Sequence, residues 1–300
     1  MKQLIVLCFI LCFVTGAFQT AKSQDNKTEE ITKTFSTKDV INMNFVSGEC
    51  KVIKSNDRNI NVTVTYKLKN NGSFEPEMEE VGNTLTLNEN LKSKTSGAVK
   101  WNISVPSGVK ISFNSASGDF HLIDVSTDLI VNTSSGEVTV DNYSGKINAT
   151  STSGNIILNN SDGNLTLNTT SGDITVTNSK SIFTLGSTSG NITASSITLS
   201  GKSSFYSTAG NATLNLSESP DFDLSVSTTS GDAEINYVGN HIAGHFELSV
   251  EKKSSSITTP FTNDDDTKEK HGDTFRIITI EKETPVIKMY SVSGNLTIRK

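Results

Sequence analysis

A Ser-Gly-Asp/Asn phrase that returns at a nearly fixed interval constrains this 300-residue chain more than any other feature. The glycines of the phrase, from Gly118 to Gly210, follow one another at steps of 18, 18, 18, 18 and 20 residues. A period this strict indicates units that stack on copies of themselves. The sequence therefore predicts an array of repeats and not a single globule.

A weaker copy of the repeat, which includes Gly145 and Gly163, lies halfway between the strong copies. The residues two and four places after each glycine are apolar, as in Val138/Val140 and Ile156/Leu158. Alternation with a period of two is typical of a half-buried strand. Each half-repeat therefore predicts one short strand followed by a tight turn, and two half-repeats make one coil.

These units predict an all-β fold, a single-chain parallel β-solenoid (β-helix) with about 18 residues per coil. The solenoid should be right-handed, because parallel crossovers almost always are. Glycine suits the corners, where a positive φ or a close approach of neighbouring coils is needed. We assign this structural corner role to Gly48, Gly118, Gly136, Gly145, Gly154, Gly163, Gly172, Gly190, Gly210, Gly231 and Gly294.

We predict one elongated domain over residues 25–300, with irregular insertions near residues 67–98 and 251–273. An uncovered end of such an array would expose a strand edge that invites pairing with another molecule. We therefore expect residues 30–70 and the final strand, which runs to Lys300, to shield the two ends.

The same residues carry a family resemblance. The Ser-Gly-Asp/Asn-Ile repeats, preceded by Ile103-Ser-Val105-Pro106-Ser-Gly108-Val109, resemble the bacterial "putative adhesin" domain family of unknown function. The resemblance covers roughly residues 40–300 and implies a β-solenoid on or outside the cell envelope. It brings no catalytic residues with it.

The N-terminus predicts export. A basic start at Lys2 and an apolar stretch from Leu4 to Val14 precede small residues at Ala21 and Ser23, which together describe a secretory signal in residues 1–24. The apolar stretch is too short to span a bilayer, and no second one would anchor the mature chain. We expect a periplasmic, cell-surface or secreted bacterial protein.

Charge and cysteine content narrow the function classes. Loss of residues 1–24 removes two lysines and no acid, which takes the formal net charge from −6 to −8 and disfavours a nucleic-acid partner. Cys50 alone then remains, so no intramolecular disulfide can form. Its place in the alternation predicts a buried, unreactive side chain.

The acidic or amide residue after each glycine has two interpretations. A column of carboxylates at the corners could bind calcium, as stacked nonapeptide repeats do. Asn and Lys dilute this column, however, and hydrogen bonding to the backbone at the corner explains Asp and Asn without a metal. An outward column with many threonines could bind ice, but it is interrupted, and threonine is also a good strand former.

The acidic segment of the second insertion offers an alternative site, formed by Asp264, Asp265, Asp266 and His271. Carbohydrate-active solenoids catalyse with two carboxylates in a cleft that projecting loops build, and this insertion could be such a loop. A charge run in a polar insertion is more often a solvated hairpin tip. His241 and His245 are spaced as metal ligands on a helix would be, but Gly244 indicates a turn there.

We expect an exported, non-enzymatic adhesin or envelope scaffold without a cofactor or metal. Its partner would be an envelope polysaccharide or protein, bound through many weak hydrogen bonds along polar faces. Aromatic residues make up only 7% of the chain, and the sequence shows no aromatic platform for stacking sugars. The competing hypothesis is a carbohydrate-active β-helix enzyme with its site near residues 251–273.

Overall fold

A computed structural model describes residues 28–69, 74–91, 96–261 and 275–300. The secretory signal predicted in residues 1–24 and the alternative site at Asp264, Asp265, Asp266 and His271 lie outside the described residues. Within the described ranges the chain forms 24 strands, hydrogen-bonded into one continuous sheet, and no helix. The prediction of an all-β fold is therefore confirmed.

The strands are short, and their alternation of buried and exposed positions follows the sequence. They are β1 (Glu29–Ser36), β2 (Val40–Phe45), β3 (Glu49–Lys54), β4 (Asn59–Lys69), β5 (Phe74–Val81), β6 (Thr84–Leu91), β7 (Ser96–Val105), β8 (Lys110–Ser115), β9 (Phe120–Ile123), β10 (Ser126–Thr133), β11 (Val138–Ser151), β12 (Ile156–Thr169), β13 (Ile174–Thr177), β14 (Lys180–Ser187), β15 (Ile192–Leu199), β16 (Ser203–Ser207), β17 (Ala212–Leu216), β18 (Leu224–Thr228), β19 (Ala233–Asn236), β20 (Gly244–Val250), β21 (Ile257–Thr258), β22 (Phe275–Ile280), β23 (Val286–Ser291) and β24 (Leu296–Arg299).

Parallel pairing joins each repeat to the next. Val138 of β11 pairs with Ile156 of β12, and Ile156 pairs with Ile174 of β13, so each step is 18 residues. Because β11 and β12 each continue past a turn, they contribute one half to each of two parallel rows of strands. Row A contains β6, β2, β8, β10, the second halves of β11 and β12, β14, β16, β18, β23 and β20 in that order. Row B contains β7, β3, β9, the first halves of β11 and β12, β13, β15, β17, β19, β24 and β21.

The core consists of the apolar pairs that follow each glycine. Val138, Val140, Ile156 and Leu158 are all fully buried, and every such pair belongs to one continuous hydrophobic cluster. Full burial of an aliphatic side chain contributes about 1.5–3 kcal/mol. Cys50 lies in the same cluster and is a buried free thiol.

A column of residues with positive φ marks the turn between the two rows. Asp124, Asn142, Asn160, Asn178 and Ser196 have φ values between 49° and 59° and recur every 18 residues. Asn and Asp tolerate this left-handed conformation better than other non-glycine residues. Their side chains also bond along the column, since Asn142 Nδ2 donates to Asp124 Oδ1 at 2.9 Å and Asn160 Nδ2 to Asn142 Oδ1 at 3.0 Å.

The order of coils at both ends departs from the order of the sequence. β2 and β3 lie between the coil of β6–β7 and the coil of β8–β9, although they precede both in the chain. At the other end β23 lies between β18 and β20, and β24 lies between β19 and β21. The expectation that the final strand shields an end is therefore wrong, because β24 is an inner strand.

Antiparallel strands cover the ends instead. β4 pairs with β7 and carries β1 on its other edge, β5 pairs with β6, and β22 pairs with β20. β5 has the sequence FEPEMEEV, in which a proline and four glutamates disfavour pairing with a further strand. Residues 67–98 therefore contribute strands to this end of the stack.

Candidate ligand-binding surface

The glycines of the strong repeat form a single column at one corner of the stack. A Cβ atom added at any of these glycines after Gly48 would overlap the carbonyl oxygen of the glycine in the coil before it. The column consists of Gly48, Gly118, Gly136, Gly154, Gly172, Gly190, Gly210, Gly231 and Gly294. Close approach of the backbones thus requires glycine at each of these positions.

Gly145 and Gly163 lie in a second, shorter column on row A. Their φ values are +142° and +127°, and an added Cβ would overlap the carbonyl oxygen of Thr127 or Gly145 respectively. Both columns are therefore structural features of the stack.

The Asp and Asn residues that follow the glycines cap the backbone of the neighbouring coil. The N–H of Asp173 donates to Asn155 Oδ1 at 2.9 Å, and the N–H of Asn191 donates to Asp173 Oδ1 at 2.7 Å. The same bond links Asn211 to Asn191 and Asp232 to Asn211. These oxygens are used by backbone donors, as the capping interpretation predicts. No group of three His, Cys, Asp or Glu side chains in the described part of the chain is arranged to hold a metal ion.

The two histidines considered as a metal pair contact different partners. His241 Nε2 lies 2.7 Å from Glu281 Oε2. His245 Nδ1 lies 2.9 Å from Thr279 Oγ1, and its Nε2 lies 3.8 Å from Glu247 Oε1. These contacts tie the segment around β22 to the end of the stack, which is a structural role.

A polar ladder on the outer surface of row B was not predicted from the sequence. His121 Nε2 lies 2.8 Å from Asp141 Oδ2, and Asn159 Nδ2 donates to Asp141 Oδ1 at 2.8 Å. Burial opposes ionisation of Asp141, but the hydrogen bonds from Asn159 and His121 outweigh it, so the pKa of this carboxyl is lowered. Beyond the ladder, Thr175, Thr193 and Thr213 are directly paired across three strands. Glu234 interrupts this column, which continues with Thr297 and Thr258.

A groove of about 460 Å³ lies on the outer surface of row A. It crosses four neighbouring strands, β2, β8, β10 and β11. Its lining consists of outward side chains and of the backbone between them, from Val40, Asn42, Lys110, Ile111, Ser112, Asp128, Leu129, Ile130, Lys146 and Asn148. The repeat places these residues side by side, because each outward position recurs on the next strand.

The groove combines cations with an apolar floor. Lys110, Asp128 and Lys146 follow one another on three successive strands, and Ile130, two residues after Asp128 on β10, is 47% exposed. Within the described residues, no carboxylate lies within 4.0 Å of either lysine ammonium, whereas Lys38, Lys100 and Lys288 all form ion pairs. The two lysines are therefore free to contact an acidic or hydroxyl-bearing ligand.

A buried tyrosine supports the groove from below. Tyr143 is 2% exposed, and its hydroxyl donates to the carbonyl oxygen of Thr127. Burial, together with the negative charge of Asp128, raises the pKa of Tyr143, so its hydroxyl stays a donor. The described lining contains no histidine or cysteine.

The residues that the structure describes contain no helix of the length and apolarity that a membrane span needs. No curated protein matches the sequence. Solved structures of similar fold include a "putative lipid binding protein" from Parabacteroides distasonis, 16% identical, with a TM-score of 0.52 over 92% of this chain and 98% of that one. A "putative adhesin" from the same species is 13% identical, with a TM-score of 0.49 over 91% and 98%.

A third structure, a "putative adhesin" from Bacteroides fragilis, is 16% identical, with a TM-score of 0.43 over 91% of this chain and 98% of that one. Of the three, only the first, with a TM-score of 0.52, supports the fold, and at 16% identity it supports nothing beyond the fold. The model of one family, described as Toastrack DUF4097, matches residues 39–268, which is more than half of the chain. On this match, the chain belongs to the Toastrack DUF4097 family.

Proposed function

We propose that this protein is an exported, non-enzymatic β-solenoid that serves as an adhesin or envelope scaffold. In this proposal residues 25–300 form one elongated domain of right-handed coils of about 18 residues. Its partner is an envelope polysaccharide or an envelope protein, bound on the outer surface of row A. The signal predicted in residues 1–24 would deliver it to the periplasm, the cell surface or the medium.

The observation that carries this proposal is the groove on row A. It brings Lys110 and Lys146, both without an ion pair among the described residues, to either side of Asp128, and exposed Ile130 lies two residues further along β10. Ammonium groups suit the acidic and hydroxyl groups of an envelope polymer, and the apolar floor suits its less polar parts. Polar residues continue from the groove along row A, because Asn114 Nδ2 bonds to Asn44 Oδ1 and Asn132 Nδ2 to Asn114 Oδ1.

One neighbour of similar fold is described as lipid binding, which adds lipids to the ligands worth testing. The alternative of a carbohydrate-active enzyme depends on Asp264, Asp265, Asp266 and His271, all outside the described residues. The described neighbour Glu251 accepts a hydrogen bond from Tyr290. No observation in the described part of the chain favours this alternative.

Binding of residues 25–300 to a glycan array, to anionic lipid vesicles and to an envelope extract would test the proposal. Replacement of Lys110 and Lys146 by serine should weaken binding of the captured ligand about tenfold, as expected for two partly exposed charged contacts. The matched control replaces Lys33 and Lys253, which are exposed and lie away from the groove. Absence of binding to all three materials, or equal binding by both double variants, would contradict the proposal.

A further inference from the structure

Two exposed tyrosines lie in one outward line of row A. Tyr206 of β16 pairs with Ser227 of β18, and Ser227 pairs with Tyr290 of β23. Tyr206 is 46% exposed and Tyr290 is 37% exposed. The two tyrosines are separated by two strand spacings, or about 9.6 Å between their backbones. They lie beyond the groove on the same outer surface.

Tyr206 lies flat on the sheet because its neighbour is a glycine. Gly186 of β14 is directly paired with Tyr206, and a Cβ atom at Gly186 would overlap the end of the tyrosine ring. Gly186 is buried although its position faces outward, so the ring covers it. The far end of the ring therefore lies over the backbone of Gly186, and the residue stays 46% exposed to solvent.

Both rings are held by their hydroxyl groups, which point away from each other. The Tyr206 hydroxyl donates to Asn168 Oδ1 at 3.1 Å, on the side of β12. The Tyr290 hydroxyl donates to Glu251 Oε1, just after β20, and this bond raises the pKa of Tyr290. The strip around Ser227 stays uncovered between the rings. The rings are thus ordered before a ligand arrives, which lowers the entropic cost of binding.

The geometry points to Tyr206 and Tyr290 as a stacking platform for the pyranose rings of a polysaccharide that runs along row A. A pyranose has an apolar C–H face, which can stack on an aromatic ring, and a rim of hydroxyl groups. The free amide N–H groups of Asn168, the hydroxyl of Ser227 and the carboxylate of Glu251 surround the rings and match that rim. A protein ligand would need no such alternation of open ring faces and small polar groups.

The platform rests on the proposed function, for which it specifies a polysaccharide as the ligand and Tyr206 and Tyr290 as contact residues. It also changes an expectation from the sequence, which shows no aromatic platform. Tyr206 and Tyr290 are distant in the chain, and only the out-of-sequence insertion of β23 beside β18 brings them into one line.

Affinity electrophoresis through gels that contain soluble cellulose ether, xylan, galactomannan, pullulan or alginate would test the platform. Residues 25–300 should be retarded by at least one of these polymers. Replacement of both tyrosines by alanine should weaken that binding by about 10-fold or more, with roughly 3-fold to 5-fold for each single change. The Tyr206→Phe variant keeps the ring and should retain most of the affinity, whereas Tyr206→Ala should not.

Thermal unfolding of each variant, followed by circular dichroism, separates lost binding from lost structure. Thr193→Ala, on the outer surface of row B, is the control and should bind as the wild type does. Equal retardation of the wild type and the double alanine variant, or no retardation by any polymer, would overturn the platform.

Capture from an envelope extract distinguishes this failure from failure of the proposed function. If the extract binds the wild type and the double tyrosine variant equally, the proposed function stands and the platform is wrong. If the tyrosine-dependent partner is destroyed by protease and survives periodate, it is a protein and the platform is again wrong. If nothing in the extract binds, and the glycan array, the vesicles and the polymer gels also show no binding, both proposals fail.

Discussion

The turn between β2 and β3 depends on one buried carboxylate, that of Glu89 in β6 of the neighbouring end coil. Its Oε2 accepts the N–H groups of Val46, Ser47 and Gly48 at 2.8, 3.1 and 2.9 Å. Glu89 is only 4% exposed. Replacement by alanine should therefore leave the buried N–H of Gly48 and the part-buried N–H groups of Val46 and Ser47 without this acceptor.

Comparison with an inner coil shows what Glu89 replaces. The N–H groups of Ser134 and Ser135 donate to the carbonyl oxygens of Ser115 and Ala116 in the preceding coil. The N–H of Gly136 donates to the hydroxyl of Thr133, three residues before it. The corresponding residue before Gly48 is Phe45, which has no hydroxyl group. The single carboxylate of Glu89 therefore accepts the three hydrogen bonds that two carbonyl oxygens and one hydroxyl accept in the inner coil.

The magnitude follows from the three donors. An unsatisfied buried N–H costs about 1–3 kcal/mol, and water that enters the space left by the side chain recovers part of this. Glu89→Ala should then lower the free energy of unfolding by about 3–5 kcal/mol. Glu89→Gln keeps an acceptor oxygen but loses the charge, so the loss should be about 1–2 kcal/mol.

Urea unfolding of residues 25–300 measures the loss. Because coils contact only their neighbours, the effect can remain confined to the first coils. Hydrogen exchange at the amides of Val46, Ser47 and Gly48 therefore provides a second measurement. Glu79→Ala, an exposed change on the adjacent β5, should stay within about 0.5 kcal/mol. If Glu89→Ala matches Glu79→Ala within about 1 kcal/mol by urea, and its exchange is unchanged, the reasoning is refuted.

Gly190→Ala should destabilise the protein by about 3 kcal/mol or more, because the new Cβ would overlap the Gly172 carbonyl oxygen. The control Gly82→Ala, at φ +58° with open space around it, should cost about 1 kcal/mol. Similar urea midpoints for the two variants would contradict this. Because the pKa of Asp141 is lower in the folded protein, its ionised carboxylate stabilises the fold above the unfolded pKa near 3.8, and this stability is lost as pH falls through the folded pKa. Asp141→Asn should therefore reduce the decline of the melting temperature with falling pH in this acid range. Truncation after Ile280 should cause aggregation, and a soluble monomer by light scattering would count against it.

The sequence could predict the strands of the inner coils because their information is local. Each apolar pair after a glycine reports which side of a strand faces inward, and the 18-residue step sets the pairing of Ile156 with Ile174. The positive-φ column was also readable, since Asp124, Asn142, Asn160 and Asn178 recur at the same step. The sequence analysis did not predict this column, because it aligned the repeats on their glycines and apolar residues and not on their turn residues.

The ends could not be predicted in this way. Nothing local to β2 indicates that it lies between β6 and β8, because each of these strands offers a compatible alternating face. The choice depends on which edges the antiparallel strands leave free. The groove and the line from Tyr206 to Tyr290 depend in turn on that order, so both required the three-dimensional arrangement.

The insertion of β23 and β24 also affects the time course of folding. Synthesis delivers a chain from its N-terminus, so residues 244–258 emerge before residues 286–299. Until the later segment arrives, the coil of β20 and β21 has no parallel neighbour among the described strands, where it pairs in parallel with β23 and β24 alone. The inner coils can form progressively as they emerge, but this end closes in a single late step. The strands of this end coil, β20 and β21, are therefore synthesised before they can pair with the rest of the stack, and they wait for β23 and β24.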